Sequence, residues 1–525
     1  MDMTRRRRLA MYTLGDIPRK SARVCPDFEA VVFEGTRLTY RALNDRVNRL
    51  ANALADLGYG RGDRAAVLAA NTHKYLEVYF AAGKLGMSVT PVNFRLSEAE
   101  FVHIINDSEA ACFFVGDGYE DRALAVRGEL PGIRDWILLD NPHKGGFSYE
   151  ALLEAASGAE PAVDVDEGEL AVLMYTGGTT GLPKGVMLSH RNIMTAVISA
   201  ALSLGFRNED VTCFVLPLFH VSFWPALAVL LVGGKVVINR KPDLSEILRL
   251  IQHEKCTHIN MVPTLYTWLL EHPDLDRYDL SSLRIMSYAG SPFPPEVLKR
   301  CIEKFGSRFA QAYGMTEALG GTILAPWDHF TDGKGARLLA SAGKESLCTT
   351  VRVVDEKGEP LPPGQVGEIV MRGKHVMQGY WKNPELTART LRGGWLHTGD
   401  MGYMDEEGYL FLVDRKADMI VTGGENVYPK ETEDVLYEHP AVMECAVVSA
   451  PDKRWGERVQ AVVVLKPGQK TTAEELIAHC KERLAGYKCP KAVEFWENLP
   501  KTPIGKIMRK EVKKVFWRGR ERTIG

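Results

Sequence analysis

The sequence has no excess of charge of either sign. Its 65 Lys and Arg stand against 67 Asp and Glu, a formal net charge of -2 over 525 residues. That balance gives no reason to expect nucleic acid as the main partner. Paired-cysteine motifs are missing as well. Cys25, Cys112, Cys213, Cys256, Cys301, Cys348, Cys445, Cys480 and Cys489 are scattered without a C-x-x-C spacing, so zinc and dithiol sites lack support. An odd number of isolated thiols with no secretory leader is the pattern of reduced, mostly buried cysteines in a cytoplasmic protein. No apolar run approaches the ~20 residues of a membrane-spanning helix. The nearest stretch, 215–234, is interrupted by Pro217, His220, Ser222 and Pro225 and ends in Gly233-Gly234; it reads as a strand, a polar turn and a buried helix. Arg5, Arg6, Arg7 and Arg8 are followed by no apolar segment, which excludes a secretory signal. They leave room for peripheral contact with an anionic membrane, but a solvated tail is the simpler reading.

What is present is a long chain of ordinary composition, 45% hydrophobic and 25% charged. It exceeds the ~250–300 residues at which single cores stop growing, so two or three units are expected. Residues 11–170 alternate helical and strand patterns. Leu43, Val47, Leu50, Leu54 and Leu57 recur at helical spacing, the run from Arg64 is a buried strand, 76–85 is a helix and 88–92 a strand. Residues 170–330 repeat the alternation, with strands ending in polar or glycine-bearing turns: at 217–220, at Pro263, at Ala289-Gly290-Ser291-Pro292 and at Gly314-Met315-Thr316-Glu317. This predicts largely parallel, helix-covered sheets, with the strand ends facing one crevice. Residues 340–413 change to short alternating strands with glycine and proline turns, a small antiparallel barrel or sheet. The charged pentapeptide Asp414-Arg415-Lys416-Ala417-Asp418 breaks the apolar pattern. The expected fold class is therefore mixed α/β: a large unit over 1–414 and a small mobile α+β unit over 415–525.

One stretch organises the rest: Tyr175-Thr176-Gly177-Gly178-Thr179-Thr180-Gly181-Leu182-Pro183-Lys184-Gly185. A strand-length apolar run precedes it. Its glycines admit close approach to a ligand, its successive backbone N–H groups can form an anion-binding concavity, and Lys184 adds a mobile cation. The loop is suited to a polyphosphate, although it is not a Walker A sequence, which needs Gly-Lys-Ser/Thr at its end. A plain Gly/Thr-rich turn between strands is the bland alternative for the loop taken alone.

Together these motifs, in this order from about residue 30 to 510, resemble the adenylate-forming enzymes, which include acyl-CoA synthetases, firefly luciferase and the adenylation domains of peptide synthetases. The resemblance implies two half-reactions. A carboxylate attacks the α-phosphorus of ATP to give an acyl adenylate and pyrophosphate, and a thiol, usually that of coenzyme A, then takes the acyl group.

The resemblance also implies roles. Thr176, Gly177, Gly178, Thr179, Thr180, Gly181 and Lys184 would hold the phosphates, with Gly177 standing where the family usually has serine. Thr316 would contact phosphate, and Glu317, with Thr179, would hold Mg2+. Gly290, Ser291, Gln311, Ala312, Tyr313 and Gly314 would line the adenine side, and Asp400 and Arg415 would hold the ribose. Lys506 would be the catalytic lysine on the small unit, and Gly424 would border the pantetheine tunnel. His220, Phe223, Trp224, Tyr288, Ala289, Gly290, Gly314 and Gly320 would surround the acyl group, with His220 gating or orienting it. Ala417 stands at the hinge, where the family often has Asp or Lys. Each residue has a plainer reading by itself: a helix N-terminal carboxylate for Glu317, an N-cap for Ser291, an Asx-turn for Asp400, a core imidazole for His220, a solvated lysine for Lys506. The implied activity is that of an acyl-CoA synthetase using ATP, Mg2+ and coenzyme A on a fatty, cyclic or aromatic acid. Loading of a carrier-protein phosphopantetheine is the alternative. No acidic residue occurs between 219 and 225, which favours an uncharged acyl tail. A homodimer is left open.

Overall fold

Apolar runs bounded by glycine, proline and polar turns form the strands, and the amphipathic segments between them form the helices, as the periodicity requires. The computed structural model describes residues 13–518 apart from 117, 141–144, 177–182, 292, 416–417, 423–424, 453 and 502–505, and the side chains of Lys334, Asp414, Arg415 and Asn426 also lie outside the description. The helix expected around Leu43 runs Tyr40–Asp56 and is capped by the Thr39 side chain, which accepts from Ala42 N. It buries Leu43, Val47, Leu50 and Leu54, one stripe of an amphipathic helix.

Among the described residues the strands form three sheets. The first has a parallel centre in the order Glu29–Phe33, Lys235–Ile238, Val211–Phe214, His258–Met261, Ile285–Ala289, Phe309–Tyr313. The second has a parallel centre of Leu170–Thr176, Ser88–Pro91, Arg64–Leu68, Cys112–Val115 and Asp135–Leu138. One core cluster joins residues of both sheets with the helices His73–Leu85, His190–Ser203 and Trp224–Leu231. Further clusters cover the outer face of each sheet with helices. The layers thus run helix, sheet, helix, sheet, helix, and the strands are buried on both faces as parallel strands must be. No helix among the described residues is long and apolar enough to cross a membrane.

Two features of the layout position the site. The antiparallel strands of 340–413 are not a separate barrel. Thr322–Leu324 pairs antiparallel with Phe309–Tyr313, Ser341–Glu345 follows it, and Leu410–Arg415, Trp395–Met404, Gly367–Arg372 and Thr350–Val354 extend the same sheet. A sheet edge left open by Phe309–Tyr313 is a row of unpaired backbone groups, and continuing the sheet satisfies them. The second concerns the glycine-rich segment. Lys184–Ser189 is a strand antiparallel to Leu170–Thr176, with Thr176 opposite Lys184, so these two residues stand side by side at the ends of the undescribed stretch 177–182. A third sheet, Glu425–Val427, Ile420–Thr422, Gly456–Leu465, Val442–Asp452 and Ala492–Phe495, lies wholly after residue 418 and has its own core.

Buried polar side chains fasten the loops at the strand ends. Asn71, 4% exposed, donates to Leu216 O at 3.1 Å and to Asn239 O at 3.0 Å and accepts from Leu218 N at 2.8 Å. It holds the turn leading to His220 against the end of strand Lys235–Ile238. Asn192 closes a capping box with Ser189 and donates to Lys374 O and Val376 O at 2.8 and 2.7 Å.

Asn71→Ala would leave these buried backbone groups unpaired, a cost of about 2–4 kcal/mol in total. The expected result is a fall of several degrees in the apparent Tm by calorimetry, together with weaker turnover. An unchanged Tm would show that the 216–220 turn does not depend on Asn71.

Candidate active site

The parallel strands of the first sheet deliver their carboxyl ends to one edge, where ligands of open α/β sheets sit. Val211–Phe214 leads to His220, Ile285–Ala289 to Gly290 and Ser291, and Phe309–Tyr313 to Gly314, Thr316 and Glu317. Gly290 has φ of +86°, a left-handed conformation that glycine adopts without strain. Ala289 lies opposite Ala312 and Tyr288 opposite Gln311 in register, so Ala289, Gln311 and Ala312, all partly exposed, share one rim. The turn after Tyr313 doubles back: Gly321 N donates to Tyr313 O at 2.7 Å. A Cβ on Gly314 would stand 2.7 Å from Gly320 Cα, closer than real Cβ contacts allow.

Glu317 and Thr316 are both 8% exposed. The Tyr380 hydroxyl donates to Glu317 Oε1 at 2.7 Å, and Met377 N donates to the Glu317 carbonyl at 2.9 Å. Lys184 Nζ lies 5.7 Å from the centre of the Tyr380 ring. Tyr380 is carried by the short strand Gly379–Tyr380, which pairs with Lys184–Ser189. One aromatic residue thus touches both the cation at the base of the glycine-rich loop and the carboxylate after strand Phe309–Tyr313. Burial and the Glu317 charge push the Tyr380 phenol up, so it stays a hydrogen-bond donor. The Glu317 carboxylate is therefore held by one oxygen, and no hydrogen bond occupies Oε2 among the described residues.

On the neighbouring wall the Tyr313 hydroxyl donates to Asp400 Oδ2 at 2.7 Å. Asp400 N donates to Thr398 Oγ1 at 3.1 Å, and the Thr398 hydroxyl donates to Ile369 O at 2.7 Å. Asp400 is directly opposite Arg415 in the antiparallel pair. The register brings the expected ribose residues together at the backbone level; the Arg415 side chain lies outside the description.

His220 is half-buried, and its Nδ1 accepts from Ser222 N at 3.4 Å. Burial pushes its imidazole down to about 4, and the positive charge of Lys506 acts in the same direction. Lys506 belongs to the chain beyond the third sheet. The bridge Lys501↔Ile507 and the bond from Met508 N to Pro500 O at 2.8 Å close the base of its loop. The charge of Lys506, on the segment after the third sheet, thus bears on His220 in the same direction as burial.

Several expected positions fare differently. Gly177, Gly178, Thr179, Thr180, Gly181, Ala417 and Gly424 lie outside the described residues; Thr176 and Lys184 flank the loop as expected. Phe223 is a core residue. It is 1% exposed and stacks on Tyr79 at 4.8 Å and 10°. Fully burying such a ring contributes about 1.5–3 kcal/mol, and an aromatic pair adds about 0.5–1.5 kcal/mol, so the core takes it. Trp224 is half-buried beside it, rings 6.0 Å apart. Tyr288 is likewise a core residue, 1% exposed. Strand alternation turns it to the outer face, where it packs edge-on against Phe293 and its hydroxyl meets His329 Nε2 at 3.1 Å. Tyr380, Asn71 and Asn192 are site-building residues that the sequence alone did not single out. Their only signal is long-range pairing, which no local pattern carries.

Comparison with known proteins agrees with this geometry. Residues 18–381 match the family described as AMP-binding enzyme, and residues 431–506 match the AMP-binding enzyme C-terminal domain. The chain is 40% identical over 505 residues to a feruloyl-CoA synthase from Amycolatopsis sp., covering 96% of this chain and 99% of that one. It is 37% identical over 499 residues to the fatty acid–[acyl-carrier-protein] ligase ScoC of Streptomyces coeruleorubidus, covering 94% of each chain. The crystal structure of the anthranilate CoA ligase AuaEII in complex with anthranoyl-AMP matches with a TM-score of 0.89 and 29% identity, over 96% of this chain and 97% of that one.

The imidazole–ammonium proximity is open to direct measurement. With histidine-selective NMR labelling, His220 should stay neutral from pH 8 down to 5 and titrate near 4. In Lys506→Ala its pKa should rise, because removing a nearby positive charge favours the imidazolium. An unmoved titration would place Lys506 away from His220.

Proposed function

The chain belongs to the AMP-binding enzyme family, and from that premise we propose that Lys506, carried by the small lobe, completes a site in which a carboxylic acid is joined to AMP and then to a thiol. The protein is an AMP-forming acid–thiol ligase of the acyl-CoA synthetase class, using ATP and coenzyme A. The observation that supports the residue assignment is the place of Lys506 beside the Lys501–Ile507 bridge, which together with the Met508 N–Pro500 O bond closes the base of its segment, with its charge bearing on His220 in the direction that burial also drives. The lobes are taken as 1–414 and 415–525, which fits the separate sheet and core after residue 418. Isolated thiols support a cytoplasmic location.

In this reading an ionised carboxylate enters beside His220 and attacks the α-phosphorus of ATP, displacing pyrophosphate. An ionised carboxylate needs no general base, and a neutral His220 suits a wall residue that orients it. As the bond forms, negative charge spreads over the phosphoryl oxygens and the incoming oxygen. A preorganised ammonium aimed there stabilises the transition state more than the ground state, which is the role given to Lys506. Thr176, Lys184 and Thr316 border the phosphates, and Asp400, aligned by Tyr313, can accept from both ribose hydroxyls. The donor set suits Mg2+, which binds through one or two carboxylates together with substrate phosphates: Glu317 offers one hard oxygen pinned by Tyr380 and another without a hydrogen bond. Mg2+ held there would neutralise phosphate charge. Transfer of the acyl group to the thiol of coenzyme A follows, with release of AMP.

For the acid, the 40% identical feruloyl-CoA synthase and the anthranilate CoA ligase structure support an aromatic, uncharged-tail substrate. Since Phe223 and Tyr288 belong to the core, they do not shorten the acyl pocket, and chain length is set by other walls. The carrier-protein ligase among the relatives keeps phosphopantetheine on a carrier as the competing acceptor.

Lys506→Ala should lower acid-dependent pyrophosphate release about a hundredfold, the usual size of losing one transition-state donor; wild-type rates would remove Lys506 from this role. In a thioester assay across ferulate, benzoate, octanoate and palmitate, ferulate and benzoate should lead with free coenzyme A as acceptor. Preference for palmitate, or for a holo-carrier protein over coenzyme A, would overturn that choice of substrate or acceptor.

A further inference from the structure

The helix Pro263–Leu270 starts directly after strand His258–Met261 and buries Pro263, Leu265, Tyr266 and Leu269. Trp268 is on the same helix yet 44% exposed, an open aromatic face on the large lobe. The group over that face belongs to the small lobe: Lys501 Nζ lies 5.6 Å from the centre of the ring. Lys501 is itself fixed, its ammonium 2.6 Å from Glu444 Oε1 in a side-chain pair only 22% and 11% exposed. Glu444 sits on strand Val442–Asp452, within the small lobe's central pairing. Lys501 also forms one side of the backbone bridge to Ile507, and Lys506 is the residue before Ile507. A cation at the foot of the Lys506 loop is thus held from below by its own lobe and rests against the other lobe's indole.

We infer that Trp268 is a positioning residue for Lys506: its ring receives Lys501 and thereby favours the arrangement of lobes in which Lys506 reaches the crevice. The inference rests on the assignment of Lys506 to adenylate formation. An indole face attracts a cation through its quadrupole, and the attraction exists only while the small lobe stands in this orientation. A ligand-independent contact present in one of two states shifts the population toward that state by its own free energy. The contact therefore bears on the half-reaction that uses Lys506 and not on one performed with the small lobe turned away. Glu444 keeps the Lys501 ammonium from swinging into solvent, so the loop base presents its charge in a fixed place.

The test compares Trp268→Leu, Trp268→Phe and Glu444→Gln with the native enzyme in two assays: pyrophosphate release with acid and ATP, and thioester formation from supplied acyl adenylate and coenzyme A. Trp268→Leu keeps apolar bulk but removes the ring. It should lower kcat of pyrophosphate release about two- to fivefold, the size of a cation–π contact at a partly exposed site, with KM for ATP and acid unchanged and thioester formation intact. Trp268→Phe should restore most of the loss, and Glu444→Gln should reproduce the selective decrease. Equal losses in both assays, a change in KM alone, failure of phenylalanine to rescue, or native rates in Trp268→Leu would each overturn the inference. Lys506→Ala run in parallel separates the two readings. If it abolishes pyrophosphate release while Trp268→Leu is native, only the docking role is lost; if Lys506→Ala is itself native, the assignment beneath it fails.

Discussion

The proposed site depends on bringing Lys506, on the segment after the third sheet, up to the strand ends that lead to His220 and Glu317. Burial alone would keep His220 uncharged, and Lys506 adds to the effect. In the proposed reaction the attacking oxygen and the phosphoryl oxygens would meet their positive partner on Lys506. A preorganised charge is effective because it needs no reorientation as the transition state forms. The segment that carries this lysine follows a sheet with its own core.

The rest of the crevice is held by polar side chains used as fasteners. Asn71 secures the turn that ends in His220 by three bonds to backbone groups. Asn192 ties the start of its helix to 374–376, just before the strand that bears Tyr380. Tyr380 in turn meets both Lys184 and Glu317, linking the strand that begins at Lys184 to the turn after Phe309–Tyr313. Tyr313 aligns Asp400 from a different part of the sheet. In a buried setting a fully bonded polar group is rigid and a half-bonded one is costly, so each such residue fixes the position of a functional neighbour.

Much of this was visible beforehand where the signal was local. The helix around Leu43 and the buried strands from Arg64, Leu170 and Ile285 follow from period and turn residues. The candidate residues Thr316, Glu317, Asp400 and Lys506 stand out because their motifs are short and contiguous. Phe223 and Tyr288 go into the core although their neighbours in sequence point to a pocket. Adjacency to His220 and to Gly290 suggested a pocket, but strand alternation at Tyr288 and the stacking partner Tyr79 at Phe223 send both rings into cores. Tyr380 carried no local mark at all, because its importance arises from antiparallel pairing across some two hundred residues of chain.

By itself the sequence determined the class of chemistry, that of an AMP-forming ligase, through short motifs around residues 175–185, 313–317, 398–400 and 503–506 whose residues are contiguous and whose backbone needs are local. It determined the mixed α/β class too, since hydrophobic period dictates helix or strand within a few residues of chain. Only the tertiary structure decided that the antiparallel strands continue the main sheet, that Tyr380 joins the loop cation to the carboxylate, and that Lys501 rests on Trp268. Those facts depend on which distant segments share an edge or a face, and period and propensity hold no information about partners so far apart.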